Sequence, residues 1–131
     1  MADTMQFDLV SPERKLASGV VRAVQIPGAE GDMTAMPDHA PMITTLRPGL
    51  LTSDGPEGET RFIVTGGFAE ITPQGTSVLA ERAYPANAEG RAALDVILQE
   101  MRTKAADSSG PEKDALDKAA DDLERAIATI D

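Results

Sequence analysis

Acidic and histidine side chains that lie close together are the groups of this chain most able to do chemistry. Asp38 and His39 are adjacent, and Glu30 and Asp32 precede them by a few residues. A carboxylate–imidazole pair can act as a general base, but a hydrolase also needs a nucleophile in a strained turn, and none is evident. His39 is the only histidine and there is no cysteine, so a metal site would depend on carboxylates, whose spacing here is not that of an EF-hand. A structural or partner-facing role is the stronger interpretation of these residues.

The pair Gly66–Gly67 is the second candidate, because glycine-rich loops can cradle phosphate. The sequence lacks the GxxxxGK[ST] pattern, and the glycines stand between two strand-like segments rather than before a helix. This context predicts a bulge or a tight connection between strands. No catalytic residue, no metal ligand and no cofactor are therefore predicted.

The charge and the aromatic content argue against two classes of partner. Twenty-two acidic against 12 basic residues give a formal net charge of -10, which repels phosphate backbones and anionic lipid headgroups. Aromatic residues make up only 3% of the chain, with no tryptophan, so few side chains could stack on bases. We expect neither nucleic-acid binding nor direct lipid binding.

The sequence also indicates a location. No apolar stretch approaches the roughly 18 residues of a membrane span. The N-terminus, Met1-Ala2-Asp3-Thr4, lacks the apolar region of a secretory signal. We expect a cytoplasmic protein whose membrane association, if it has one, depends on a partner.

The composition changes near Tyr84-Pro85, and this change predicts the fold class. Eight of the nine prolines and nine of the 11 glycines lie in residues 1–85, among short segments in which apolar and polar residues alternate. Residues 86–131 hold 11 alanines, and alanine is the best helix former. We predict an α+β protein with segregated parts: a β-sandwich or barrel over residues 1–86 and a helical segment over residues 87–131.

Two helices are predicted in the second part. Asn87 is a suitable N-cap, and Asp107-Ser108-Ser109-Gly110-Pro111 interrupts the pattern, with Pro111 suited to the first turn of the next helix. A short break between amphipathic helices predicts an antiparallel hairpin. The apolar positions expected to pack the helices against each other include Leu94, Leu98, Met101, Leu116, Ala120, Leu123 and Ile127.

Short motifs in a fixed order carry a resemblance to a known family. They are Val10-Ser11-Pro12-Glu13, Pro27-Gly28-Ala29-Glu30-Gly31-Asp32, His39-Ala40-Pro41, Leu46-Arg47-Pro48-Gly49, Gly66-Gly67-Phe68-Ala69-Glu70 and Val78-Leu79-Ala80-Glu81. Together they resemble the epsilon subunit of the bacterial F-type ATP synthase, called delta in mitochondria. The resemblance is close over about residues 5–85. It implies a sandwich of about ten strands, then two helices, and a non-catalytic role in the rotor.

The resemblance also implies partners. In this family the sandwich binds the gamma subunit and rests on the loops of the membrane-embedded c-ring, at the cytoplasmic face of the bacterial inner membrane. The parts that match the c-ring contact carry Glu30, Asp32 and His39, which we expect at one exposed end of the sandwich. Clustered carboxylates there suit the arginine and glutamine of c-ring loops.

Some members of the family bind ATP through a motif in the hairpin, which reads Ile/Leu-Asp and then Arg-Ala three residues later. Leu94-Asp95 matches the first half, but Leu98-Gln99 stands in place of Arg-Ala. Leu116-Asp117 is likewise followed by Ala120-Asp121. We expect no bound ATP.

The hairpin of many bacterial members extends toward the catalytic alpha and beta subunits and inhibits ATP hydrolysis, with basic residues that meet an acidic loop. From Pro111 onward this chain has only three bases, Lys113, Lys118 and Arg125. Its acids there are Glu112, Asp114, Asp117, Asp121, Asp122, Glu124 and Asp131. Since like charges repel, we expect a folded hairpin that inhibits weakly or not at all.

An alternative of a different class remains at this point. A stand-alone regulatory protein that senses a small ligand or nucleotide could have a similar β-domain. Binding to a gamma subunit would distinguish the two, and an enzyme is the third interpretation because no catalytic constellation supports it.

Overall fold

Ten short strands followed by two helices form the chain in the computed structural model, which describes residues 3–130. The strands are β1 (Met5–Val10), β2 (Lys15–Val21), β3 (Ala23–Gly28), β4 (Gly31–Ala35), β5 (Met42–Leu46), β6 (Gly49–Gly55), β7 (Gly58–Val64), β8 (Gly67–Thr72), β9 (Gly75–Ala80) and β10 (Ala83–Pro85). The helices are α1 (Ala88–Ala106) and α2 (Gly110–Ile127). This order confirms the predicted fold class. Met1, Ala2 and Asp131, which entered the expectations above, lie outside the described residues.

The strands form one hydrogen-bonded sheet that folds into two layers. Its order is β10-β7-β6-β3-β5-β8-β9-β1-β2, and β4 pairs with the other edge of β3. The junction between the layers is narrow, since β3 meets β5 through the single pair Gly28 and Leu46. One layer therefore holds β4, β3, β6, β7 and β10, and the other holds β5, β8, β9, β1 and β2. All pairs are antiparallel except β1 with β9.

The main core lies between these layers and follows from the alternation of side chains along each strand. Phe7, Leu9 and Ile71 from one layer meet Ile26 and Leu51 from the other, and all five are almost fully buried. The sequence pattern of Met5, Phe7 and Leu9 thus marks one inward face of β1.

The sequence alone predicts one strand over residues 20–26, stopped by Pro27 and Gly28, but Arg22 divides it. Its backbone N–H donates to the carbonyl of Asp54 at 2.7 Å, and its guanidinium pairs with the Asp54 carboxylate at 3.1 Å. The chain bends there and passes from β2 in one layer to β3 in the other. Pro27 and Gly28 also belong to β3 rather than ending it, so the turn falls at Ala29 and Glu30, two residues later than the sequence indicates.

The first helix begins after Asn87, as the sequence predicts, and the second begins at Gly110, within the predicted break. The side-chain oxygen of Asn87 accepts a hydrogen bond from the backbone N–H of Gly90 at 2.8 Å, which caps α1. The break at residues 107–109 separates the helices, and Pro111 occupies the first turn of α2. Arg102 of α1 pairs with Asp121 and Glu124 of α2, at 3.0 and 3.6 Å.

The hairpin lies against the outer face of the β6–β7–β10 layer. Ile63 points outward from β7 and is fully buried beneath Leu94, Leu123 and Ile127. Leu50 of β6 and Tyr84 of β10 complete this second cluster from the sandwich side. The helices bury their apolar faces against the sheet as well as against each other, and so the hairpin is folded onto the sandwich.

Candidate functional site

The turn between β3 and β4 presents two carboxylates, and the structure distinguishes them. The Arg47 guanidinium donates to the carbonyl of Gly28 at 2.6 Å and to the carboxylate of Asp32. Asp32 is therefore held within the chain, although its side chain is 78% exposed. Glu30 is exposed and makes no hydrogen bond or ion pair with any described residue. Arg47 thus fixes the shape of the turn and leaves Glu30 as its free acid.

His39 lies in the connection between β4 and β5, away from that turn. Its backbone N–H donates to Met36, and its Nδ1 lies 2.6 Å from the carbonyl oxygen of Ala40. The backbone N–H of Asp38 donates to Pro73, in the turn between β8 and β9. The five residues of β4, which span roughly 16 Å, and three further residues separate Glu30 from His39. The structure brings Glu30 and Asp32 together but does not bring His39 to them.

Gly66 and Gly67 connect β7 to β8, as the sequence predicts. Their φ angles are 151° and 120°, which L side chains rarely adopt, and a Cβ on Gly67 would lie 2.1 Å from the carbonyl oxygen of Leu79. The pair serves the close approach of two strands. Among residues 3–130 no group of three or more acidic, histidine or cysteine residues is placed to hold a metal ion.

A row of apolar side chains crosses the outer face of the second layer. Phe68 of β8 lies opposite Leu79 of β9, and their neighbours in the row are Thr45 of β5 and Val10 of β1. Phe68 and Leu79 are 46% and 45% exposed, and Ile43, further along β5, is 69% exposed. Contiguous exposed apolar side chains mark a contact surface for another molecule. We call Ile43, Phe68, Leu79 and Val10 the apolar face.

The apolar face is not among the expectations above, although the sequence carries a signal for it. In Phe68-Ala69 and in Val78-Leu79, two successive residues of one strand are apolar. Since successive side chains point to opposite faces, one of each pair must leave the core. Such pairs indicate a strand that is covered on both sides, either by another element of the same chain or by a partner.

A cleft of about 1080 Å³ continues from the apolar face toward the hairpin. Phe68, Leu79 and Pro48 line it from the sandwich, and Met101 and Leu116 line it from the hairpin. An ion pair between Arg82 and Glu100, at 4.0 Å, joins the sandwich to α1 beside this cleft. The hairpin therefore leaves an apolar gap along one side of its contact with the sandwich.

Some of the residues predicted to pack the hairpin lie in the cluster around Ile63, and others lie at its edge or beside the cleft. Leu94, Leu123 and Ile127 lie in the cluster around Ile63, while Leu98 and Met101 lie at its edge. Ala120 is fully buried, whereas Leu116 is half-buried beside the cleft.

Asp122 is a charged residue on the buried side of α2. Its side chain is 7% exposed and accepts hydrogen bonds from Lys118 at 3.0 Å and from Arg125 at 2.6 Å. It borders a small cavity whose opposite wall carries Arg47 and Asp32. Burial raises the pKa of Asp122, but the hydrogen bonds and charges of Lys118 and Arg125 outweigh burial and leave this pKa below its ordinary value.

The low pKa of Asp122 predicts how stability depends on pH. A depressed carboxyl pKa stabilises the fold above the unfolded value of about 4, and this contribution is lost as the pH falls through the folded value. We expect Asp122→Asn to lower the free energy of unfolding by about 1–2 kcal/mol at pH 7. The difference from wild type should shrink at pH 3, as measured by urea denaturation. Asp95→Asn, an exposed change on α1, is the control; a difference equal at both pH values would contradict this prediction.

Comparison with known proteins connects this architecture to a family. Residues 4–86 match the family described as ATP synthase, Delta/Epsilon chain, beta-sandwich domain. The chain belongs to this family. The resemblance inferred from the motifs is thereby confirmed, and it covers the whole sandwich.

Relatives and solved structures extend the match to the hairpin. The chain is 55% identical to the ATP synthase epsilon chain of Fuscovulum blasticum, over 95% of this chain and 94% of that one. It is 70% identical to the epsilon chain of Ruegeria sp. (strain TM1040), over 79% of this chain and 75% of that one. A chain in the cryo-EM structure of the Euglena gracilis mitochondrial ATP synthase, OSCP/F1/c-ring, has the same fold, with a TM-score of 0.72 and 22% identity over 97% of this chain and 83% of that one.

A second solved structure supports the same fold assignment. A chain from the Tetrahymena thermophila mitochondrial ATP synthase, central stalk/c-ring, matches with a TM-score of 0.64 and 14% identity, over 95% of this chain and 93% of that one. Both structural matches extend over the sandwich and the hairpin, since they cover 97% and 95% of this chain. Within residues 3–130, neither helix is long and apolar enough to cross a membrane.

Proposed function

We propose that this epsilon-family chain is a non-catalytic rotor subunit of a proton-translocating F-type ATP synthase, which joins the gamma subunit to the c-ring. The observation that carries the proposal is the apolar face, where Phe68 and Leu79 lie side by side and exposed on a rigid sheet. The hairpin covers the opposite outer face, so the apolar face is the one available to a large partner. Assembly with gamma and the c-ring places the protein at the cytoplasmic face of the bacterial inner membrane, as a peripheral subunit.

The contact with gamma is assigned to the apolar face. Burying the exposed parts of these side chains supplies roughly 25 cal/mol for each Å² of apolar surface. Polar neighbours such as Thr45, Glu70 and Ser77 surround the apolar side chains in the adjacent strand pairs. An apolar centre with a polar rim is the usual anatomy of a protein interface.

The contact with the c-ring is assigned to Glu30, Asp32 and His39. Because Asp32 is held by Arg47, Glu30 is the acid able to pair with a basic c-ring loop without a prior rearrangement. His39 lies at the other end of β4, which is an edge strand among the described strands, and so the contact extends along that edge. Exposed ion pairs stabilise by only about 0–1 kcal/mol each, so the whole edge must share the load.

Recovery of the complex tests this proposal. A tagged full-length chain is expressed in its host, the membranes are dissolved in mild detergent, and the captured proteins are identified by mass spectrometry. Gamma and the c subunit are expected, together with alpha and beta. Capture of a small ligand or nucleotide without any synthase subunit would instead support the stand-alone sensor.

We further propose that residues 1–86 form one domain and that residues 87–131 form a dependent hairpin. The main core is complete without the helices, while the cluster around Ile63 needs both parts. A chain truncated after Asn87 is expected to unfold cooperatively at a lower temperature, because Leu50, Ile63 and Tyr84 become exposed. It should still bind gamma through the apolar face. A calorimetric trace without a cooperative transition would show that the hairpin is required for folding.

The hairpin is proposed to inhibit ATP hydrolysis weakly or not at all. Its three second-helix bases are already engaged: Lys118 and Arg125 hold Asp122, and Lys113 pairs with Asp117 at 3.4 Å. No base of α2 is left unpaired to meet an acidic loop of the catalytic subunits, and the surplus of acids in α2 would be repelled there. Deleting residues 88–131 is therefore expected to change the ATPase rate of the assembled enzyme by less than about twofold. A large rise that the full chain reverses would refute this prediction.

A further inference from the structure

The cleft beside the apolar face lies between the sandwich and the hairpin. Its sandwich wall ends in Phe68 and Leu79, which also belong to the apolar face. Its hairpin wall presents Met101 and Leu116, which remain half-buried after the hairpin has folded onto the sandwich. A partner that covers the apolar face therefore meets the hairpin at the edge of the same contact.

The size and polarity of the cleft fit a helical segment. A volume of about 1080 Å³ accommodates roughly two turns of a helix about 10 Å across. Glu81, Arg82, Glu100 and Lys104 also line the cleft, and these two acids and two bases leave it without a net charge. A segment with an apolar ridge suits such a cleft better than a strongly charged ligand does.

We propose that the cleft is the second half of the gamma site, so that bound gamma holds the hairpin against the sandwich. The inference rests on the proposed gamma contact with the apolar face and extends it to Leu116. A partner that touches both walls binds the docked hairpin more tightly than the released one. By linkage, its binding multiplies the equilibrium constant between the docked and released poses by the ratio of its affinities for the two.

The contacts between the hairpin and the sandwich hold only one part of the hairpin firmly, so a partner could stabilise the docked pose further. The cluster around Ile63 holds the first half of α1 and the second half of α2 against the sandwich. The beginning of α2, around Leu116, borders the open cleft instead. Arg82 and Glu100 are 54% and 63% exposed, and a pair so exposed adds little stability. Apolar contact supplied by gamma would strengthen the side of the hairpin that the sandwich leaves uncovered.

Hydrogen exchange of the full chain, with and without the purified gamma subunit of the same synthase, tests the proposal. Gamma is expected to slow the exchange of α2 amides roughly tenfold or more, because exchange measures even rare release of the hairpin. Leu116→Ser should weaken gamma binding roughly tenfold and remove most of this protection. Leu116→Met should restore both.

The control is Val96→Ser, which removes an apolar side chain that is 61% exposed on α1 and does not line the cleft. This variant should bind gamma and protect α2 as wild type does. If gamma binds wild type but leaves α2 exchange unchanged, or binds Leu116→Ser equally well, the inference is wrong while the gamma contact stands. If gamma does not bind wild type at all, the proposed function fails as well.

Discussion

Replacing Phe68 by Asp and Leu79 by Lys in one chain is expected to abolish gamma binding, with the dissociation constant rising at least about a hundredfold. Each substitution removes an apolar side chain whose exposed half contributes about 1 kcal/mol on burial, and each adds a charge whose desolvation in the interface costs about 2 kcal/mol or more. The two losses together exceed the roughly 2.7 kcal/mol that a hundredfold change represents.

The free chain should tolerate this double substitution. Phe68 and Leu79 are each about half exposed, and they lie directly opposite each other on β8 and β9. Opposite charges at such a cross-strand pair attract, which preserves the sheet. Thermal unfolding of the variant should therefore resemble that of wild type, and calorimetric titration with gamma gives the affinity. Val96→Asp, on the outer side of α1, is the matched control. Undiminished binding by the folded double variant would remove gamma from the apolar face.

The sequence could predict the elements of this fold because their signals are local. A cap such as Asn87 and a break such as Gly110-Pro111 act within a few residues, and the alternation in β1 reports its own burial. The bend at Arg22 was missed because it depends on Asp54, which is 32 residues away in sequence. A pattern of neighbouring residues cannot predict a contact with a residue so far along the chain.

The position of the hairpin had a weaker signal. Phe62, Ile63 and Val64 are consecutive and all buried, so both faces of β7 must be covered. The sequence indicates that something packs on the outer side of Ile63, but several elements could do so. Only the folded arrangement identifies the hairpin as that cover.

The acidic turn shows a similar limit at the candidate site. The motif places Glu30 and Asp32 together, and the structure does the same. The motif alone cannot reveal that Arg47 holds Asp32, because the two residues are 15 positions apart in the sequence and belong to different motifs. The order of the motifs also cannot predict the position of His39. Strand β4 lies between Glu30 and His39 and places them at its opposite ends.

Reversing the charge of Glu30 is expected to lower ATP-driven proton pumping, and reversing Asp32 as well should lower it further. Each reversal exchanges an attraction of about 0–1 kcal/mol for a repulsion of similar size, so the pair costs about 2 kcal/mol at the c-ring contact. This corresponds to roughly a thirtyfold weaker contact. Salt should reduce the difference from wild type, because exposed charges are screened.

The two acids call for separate variants because they have different surroundings. Asp32→Lys would bring a second cation beside Arg47 and disturb the turn, whereas Glu30→Lys leaves the pair of Arg47 and Asp32 intact. The single Glu30 variant is therefore the cleaner test of a direct contact. Glu57→Lys makes the same charge change in the turn between β6 and β7, away from the β3–β4 turn, and should leave pumping unchanged.

Proton pumping is measured by quenching of a pH-sensitive dye in vesicles that contain the assembled enzyme, beside the ATPase rate of the same vesicles. A loss of pumping with an undiminished ATPase rate is expected, because the rotor then turns without a firm hold on the c-ring. His39→Ala should have a smaller effect, since His39 lies at the far end of β4 and its ring is already engaged with Ala40. If Glu30→Lys and the double reversal both pump as wild type does, the acidic turn does not face the c-ring, and the contact must lie on another part of the sandwich.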